Sequence, residues 1–442
     1  MKSFEKLVRH EGNDTLFRCM EISIVSTAMG VPLHLHAEGL RGTGKSTIML
    51  AARQVLPTIR RVRGCQYNCD PERPHCPEHK DLSRAELLSI GIEEVPMPFL
   101  EISHSAKVGT VVGSIDLEEL TSGSSKARLL PGTIPMANRG IIFIDEINRL
   151  AETSPEIADV LLAAMGTKPG RVKIEETGMK PVEMPVACSV WAASNPDEEP
   201  GALEDIRKQL ADRFDLTVSM GRPTDPSAIV SILRKEGFAV PLGNQVRENL
   251  LRACERGTAE VPQFLDEIVA QLYIMFNLES LRSAEALRHV ASVNAALMGR
   301  GVASIDDLIA VAQPCLRHRV EMNTLAQIIK YLAELKEGKK QSEVPAGAST
   351  TTKAAPRHQQ QPASALDRLL SRVKESMESY RAGVTPSAKH SQDSKGGASD
   401  SGGGAKKPLD PMTTPLAAPP RVARSIPDLR LDELVRTEEE LR

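Results

Sequence analysis

Eight residues constrain this chain more than any others. Gly39-Leu40-Arg41-Gly42-Thr43-Gly44-Lys45-Ser46 fits the pattern G-x4-G-K-[ST] of a phosphate-binding loop. Glycines let the backbone wrap an anion with its N–H groups turned inward, and the helix that follows aims its positive end at the same point. A glycine-rich turn could match the pattern by chance. Here the apolar run PLHLHAEG (32–39) reads as the strand before the loop, and TIMLAARQVL reads as the helix after it. That context selects a nucleotide site and an α/β fold. Lys45 is expected to reach the β- and γ-phosphates, and Ser46 to ligate Mg²⁺. Gly39, Gly42, Thr43, Gly44 and Thr47 complete the expected contacts with ATP.

A second set of residues supplies what phosphoryl transfer needs beyond binding. IIFIDE (141–146) is an apolar strand ending in two acids. Asp145 is expected to hold the Mg²⁺ shell and Glu146 to polarise the attacking water, because this reaction depends on charge neutralisation and positioning more than on covalent chemistry. A solvated acidic pair at a strand end is the plainer alternative. Asn195 ends the next apolar strand. Its amide is suited to holding the lytic water, and the Asn195-Pro196 pair is equally suited to making a turn. Arg213, in LADRFDL (210–216), is placed at a helix end as either an arginine finger or a surface ion-pair partner.

The remaining sequence divides into three zones. Residues 1–225 alternate short apolar strands (32–39, 97–103, 140–146, 187–195) with helical patterns, as a parallel α/β sheet requires. GRVKIEETGMKPVEM (170–184) reads as a hairpin. Residues 226–337 lose the strand signal and carry apolar positions at helical spacing, with Ser304 and Asp307 placed as a capping box. Residues 338–442 are rich in Pro, Gly, Ser and Lys and cannot bury enough apolar area to offset chain entropy. Disorder is expected there, interrupted by amphipathic stretches at 365–380 and 425–441. The first of these suits a helix that folds on docking to a partner, or an unused local helix. A net charge of −3 offers no footprint for nucleic acid. No apolar run is long enough for a membrane span, and the N-terminus lacks a signal-peptide pattern, so a cytoplasmic location is expected.

Taken in order, the P-loop, IDE, SNP and DRFD resemble an AAA+ ATPase. Finer segments resemble the ATPase subunit of magnesium chelatase: RGTGKST, GCQYNCDPERP, VVGSIDLEEL, LLPGTIPMANRGIIFIDEINRL, ADRFDL, and LRSAEALRHVASVNAALMGR with its closing LRHR. The similarity covers roughly residues 5–320. It implies an α/β AAA+ core with extra inserts, an all-α lid and a ring, hexameric in the family, with ATP between protomers. It also implies that Asn195 is sensor 1 and that Arg213 is an arginine finger acting on the neighbour. Arg282 is implied as the sensor 2 arginine, with Arg288 as the alternative. The implied partners are an AAA+ subunit bearing an I domain and a porphyrin-binding subunit. A MoxR-like remodeller of protein clients, or a nucleotide-dependent scaffold with little turnover, would carry many of the same motifs. VRHEGND stands where the family has an IVGQ-like start, and the tail is not part of the plain subunit.

One cluster lies outside this scheme. Cys65-x3-Cys69-x6-Cys76-x2-His79 offers three thiolates and an imidazole, which suit a tetrahedral structural Zn²⁺. A proline-punctuated loop with ordinary reduced cysteines is the alternative. His34, His36 and Trp191 are expected to be packing residues.

Overall fold

The computed structural model describes residues 4, 7–115, 129–175, 181–197, 199–234 and 242–342. All of them fall in the compact unit Met1–Tyr380. The stretches at 365–380 and 425–441, and the second half of VVGSIDLEEL (116–120), lie outside the described residues.

Helix α1 (Asp14–Ala28) leads into strand β1 (Leu35–Glu38), the phosphate loop and helix α2 (Lys45–Ala51). A first excursion follows: strand β2 (Thr58–Val62), the cysteine loop, helix α3 (Arg84–Ile90) and strand β3 (Ile92–Pro96), which pairs antiparallel with β2. Strand β4 (Phe99–Ile102) returns to the core. Helix α4 (Val108–Val112) opens a second excursion, whose strands β5 (Gly113–Ile115) and β6 (Leu129–Pro131) also pair antiparallel. Helix α5 (Thr133–Met136), strand β7 (Ile141–Ile144) and helices α6 (Ile147–Thr153) and α7 (Pro155–Ala164) come next. Strands β8 (Gly170–Ile174) and β9 (Val182–Val186) form the expected hairpin, and its turn at 176–180 lies outside the described residues. Strand β10 (Ser189–Ser194), helix α8 (Leu203–Ala211) and strand β11 (Leu216–Ser219) complete this half.

The main sheet has the order β11-β1-β10-β7-β4, and every pairing in it is parallel. Parallel strands covered on both faces read as continuous apolar runs, and their alternate residues serve different cores. Phe143, Trp191 and Ala193 face one core, together with α1. Ile142, Ile144, Val190 and Ala192 face the other, with α6, α7 and the excursions. Trp191 is fully buried, and its Nε1 donates to Ser23 Oγ at 2.9 Å. Removing so large a group as Phe143 would cost about 3–5 kcal/mol.

Helices α9 (Pro226–Arg234), α10 (Leu242–Arg256), α11 (Gln263–Met275), α12 (Leu281–Leu297), α13 (Ile305–Leu316) and α14 (Met322–Ser342) follow. The Ser304–Asp307 capping box is present at the start of α13. Asp307 there is buried, and Arg300 and Asn294 both donate to it. This bundle and the sheet share one continuous core through α1. Arg18 on α1 donates to Asn294 Oδ1 at 2.7 Å, and Ser26 meets His289 Nε2 at 2.7 Å. Helix α14 runs to Ser342, beyond the composition change at 337. Lys, Glu and Gln are good helix formers, so a polar composition alone does not end a helix.

Candidate active site

Three adjacent strands bring the phosphate loop, Asp145 and Asn195 to one edge. Glu38 lies beside Ser194, and Ala192 lies beside Ile144. Gly39, Asp145 and Asn195 therefore leave the sheet together at its C-terminal edge, where open α/β sheets hold ligands. The Gly39 N–H donates to the Ser194 carbonyl at 3.3 Å. Gly39 has φ 152°, and a Cβ there would lie 2.9 Å from Met220 Cβ. No side chain could enter the loop at this point. Gly44, left-handed at φ 89°, turns the chain into α2.

Lys45 is buried, and its Nζ donates to the Gly39 and Leu40 carbonyls at 2.5 and 3.0 Å. Thr43 Oγ1 donates to the Leu40 carbonyl at 2.9 Å. The ammonium thus rests on the loop it would leave for a phosphate. Ser46 is half-buried, and Thr47 is exposed on the next position of the helix.

On β7 the apolar strand stops at Ile144, Asp145 is exposed, and Glu146 takes a left-handed backbone at φ 50°. A non-glycine residue pays roughly 1–2 kcal/mol for that conformation, which is kept where surrounding structure imposes it. The Glu146 N–H donates to Asp145 Oδ1 at 3.1 Å, and the Glu146 carboxylate pairs with Arg149 at 3.1 Å. Asn195 Oδ1 accepts from the Asp197 N–H at 3.3 Å, an Asx turn. Asn148, which the sequence reading passed over, links the two strand ends. Its Nδ2 donates to the carbonyls of Asn195 and Gly201 at 3.3 and 3.0 Å. Its place two residues after Glu146 was the available signal.

Arg213 and Arg282 lie elsewhere. Strands β1 and β11 run parallel with Leu35 beside Leu216, and Asp215 N–H donates to the His34 carbonyl at 3.0 Å. Arg213 therefore sits at the N-terminal edge of the sheet, a strand length of about 13 Å from the phosphate loop. There it lines a cleft of about 490 Å³ with Arg282, Lys168, Asp215, His289 and Arg319. Arg282 Nη2 approaches the Gly166 carbonyl at 3.4 Å, and Arg213 Nη1 would lie 3.2 Å from a Cβ at Gly166, so the two guanidiniums converge past α7. Burial, and then the neighbouring Arg282 charge, pull the Arg213 pKa below its usual value. Arg288 points away, paired with Asp266 at 2.6 Å.

Lys168, Asp215, Arg319 and His318 hold this cleft in shape. Lys168 pairs with buried Asp215 at 2.8 Å. Burial alone would raise the Asp215 carboxyl, but Lys168 and His34 hold it below the usual range. Arg319 Nη2 donates to the carbonyls of Asp212 and Phe214 at 3.1 and 2.8 Å, and His318 Nε2 meets the same Phe214 carbonyl at 2.9 Å. These lid residues grip the chain on both sides of Arg213. The LRHR motif was visible in the sequence, but its target was not. His34 and His36 are packing residues: Val190 N–H donates to His34 Nδ1, and His36 stacks on Phe214 at 5.0 Å.

The side chains of Cys65, Cys69, Cys76 and His79 converge. All four are buried, and their ligand atoms lie within 4.8 Å of one another. The loop is more deeply packed than its prolines suggested, because Cys65, Tyr67, Cys69 and Cys76 join the core formed with Ile134 and Ala137.

Comparison with known proteins shows the family. Residues 266–336 match the AAA lid domain family. The magnesium-chelatase 38 kDa subunit of Acidiphilium rubrum is 32% identical over 328 residues, spanning 71% of this chain and 90% of that one. The chloroplastic magnesium-chelatase subunit ChlI of Glycine max is 27% identical, spanning 72% and 75%. A cryo-EM-based model of the complex between subunits BchI and BchD of magnesium chelatase contains a chain 27% identical, covering 74% of this chain and 100% of that chain with a TM-score of 0.41. With its P-loop sheet, helical lid and relatives at this level of identity, the chain belongs to the family of magnesium-chelatase AAA+ ATPase subunits.

Proposed function

We propose that this chain is the ATP-hydrolysing motor of a magnesium-chelatase-like metal-insertion complex, with each active site completed by the neighbouring subunit. One observation carries the reading: the P-loop and the two acids occupy one edge of the sheet, while Arg213 and Arg282 occupy the other. A single chain cannot bring them together, but head-to-tail packing in a closed ring would.

In this reading Gly39, Gly42, Thr43, Gly44, Lys45 and Thr47 cradle the phosphates of ATP. Ser46 and Asp145 have the oxygen donors that Mg²⁺ takes, and the ion would neutralise charge between the β- and γ-phosphates. Glu146 orients and polarises the attacking water, and Asn195 holds it from the adjacent strand. Arg213 and Arg282 from the next protomer balance the charge that develops on the transferred group.

By family membership, the partners would be an AAA+ subunit with an I domain and a porphyrin-binding subunit, and the work done would be metal insertion. Among the described residues no helix is long and apolar enough to cross a membrane, and we infer a cytoplasmic site of action.

The experiment is reconstitution. The chain is combined with an I-domain subunit and a porphyrin-binding subunit of a relative, and ATP-dependent Mg²⁺ insertion is followed by porphyrin fluorescence. Insertion that needs this chain and fails with Lys45→Ala supports the reading. Robust ATPase activity with no insertion under any pairing would reassign the motor to another client.

A further inference from the structure

We propose that Cys65, Cys69, Cys76 and His79 hold one structural Zn²⁺, and that this ion braces the second excursion and the strand carrying Asp145 and Glu146. The four side chains come from a single loop between β2 and α3 and turn inward together, with all their ligand atoms inside 4.8 Å. Two ligands on one tetrahedral zinc, at about 2.3 Å for sulfur and 2.0 Å for nitrogen, stand roughly 3.5 Å apart. Cys76 Sγ and His79 Nδ1 are 3.1 Å apart, so the imidazole already faces the sulfurs.

The surroundings match those of a metal knuckle. Backbone N–H groups of His75 and Cys76 both donate to Cys69 Sγ at 3.3 Å, and the Cys69 N–H donates to Cys65 Sγ at 3.5 Å. Such donors stabilise thiolate sulfur. Three soft sulfurs and one nitrogen, closed from solvent, select zinc over the hard cations and leave no open position for catalysis. On binding, each thiol passes its proton to water and the neutral imidazole gives its lone pair.

The loop is tied to the catalytic half of the fold. Asn68 Nδ2 donates to the Met136 carbonyl at 2.6 Å, and Asn138 Nδ2 donates to the Tyr67 carbonyl at 3.3 Å. Tyr67 Oη donates to the Leu129 carbonyl at 3.3 Å, and Arg139 pairs with Asp70 at 3.7 Å. Residues 129–139 lead from β6 through α5 to the start of β7. A rigid loop here fixes the approach to Asp145, whereas a loose one would let β5 and β6 drift.

The test uses the full-length chain, grown with zinc, kept reduced and dialysed against metal-free buffer. Metal analysis is expected to return about one zinc per chain. Cys69→Ser and Cys76→Ser are each expected to lower that content about tenfold or more. His79→Cys is expected to keep it, as is Cys188→Ser, which alters a buried cysteine outside the loop. Because a serine variant can lose zinc by misfolding, Co²⁺ exchanged into the unsubstituted chain is the second readout. Sulfur-to-metal charge transfer with intense visible d–d bands is expected, and the weak spectrum of a six-coordinate oxygen site would overturn the proposal. So would substoichiometric zinc in the unsubstituted chain after refilling, or full zinc in both serine variants. Chelation is expected to speed hydrogen exchange across 129–139, and unchanged exchange there would overturn the bracing role.

Discussion

The two edges of the five-stranded sheet carry opposite chemistry. At the C-terminal edge lie a glycine loop, one lysine and two acids. At the N-terminal edge, Arg213, Arg282, Lys168 and Arg319 line a cleft that has cations but no P-loop. In the proposed reading each edge is half of an active site, and a strand length of about 13 Å keeps the halves of one chain apart. The lid belongs to the second edge. It shares a core with α1 and the sheet, and its Arg319 and His318 grip the segment that presents Arg213. On that reading, closing the site requires a neighbour, not a hinge over the chain's own loop.

The comparison is broken most severely at the first edge. Lys45→Ala removes the one ammonium of the loop, and both nucleotide binding and turnover are expected to fall to background, read by nucleotide titration and phosphate release. At the second edge, Arg213→Ala is expected to cut turnover by about 10³-fold while leaving the nucleotide Kd of the isolated chain unchanged. A large loss of affinity in that variant would place Arg213 in its own chain's site. Arg319→Ala removes donors to the Asp212 and Phe214 carbonyls. It is expected to lower kcat about 10–100-fold through misplaced Arg213, with KM little changed and partial recovery in Arg319→Lys. A pure stability defect would instead lower the amount of active protein without changing kcat per active site.

The smallest effect concerns acid. Burial pushes His34 down to about 4, and His36 and His318 down to about 3, so all three stay neutral in the fold. Their native values lie below the unfolded value of about 6.5. The stability they contribute is complete above that pH and is lost as the pH falls toward the native values. The unfolding free energy from urea titration is expected to drop between pH 7 and 5, by about 1–2 kcal/mol per histidine, and the urea midpoint with it. His36→Phe, which keeps a ring against Phe214, should flatten that slope, and a midpoint independent of pH would contradict it.

Much of the C-terminal edge was legible in the sequence because its signals are local. The glycine spacing, the apolar run before Asp145 and the SNP turn each declare their geometry within a few residues. The strand assignments agreed with the sheet to within a few residues at each end, and the 170–184 hairpin lies in the expected place. Helix α1 was not read, since its ISIVST run carries β-branched residues that only burial on several sides makes helical. Helices α10 and α14 were also missed, their apolar positions being diluted by charge. The gathering of Arg213 with Arg282 at Gly166 was beyond sequence reasoning, because it depends on where α12 packs rather than on any motif. The convergence of Cys65, Cys69, Cys76 and His79 was legible as spacing, while its attachment to 129–139 was not.

The central claim is that the two edges belong to one site only across subunits. The direct measurement mixes Arg213→Ala protein with Glu146→Gln protein and follows ATP turnover. Each variant alone spoils every interface. Random mixing in equal amounts would create an intact pairing at about one interface in four, with the loop edge from the first variant and the arginine edge from the second. Recovery toward that fraction is the expected result. Equal amounts that stay as inactive as either variant alone, or an Arg213→Ala protein that turns over ATP at the unsubstituted rate, would contradict the account.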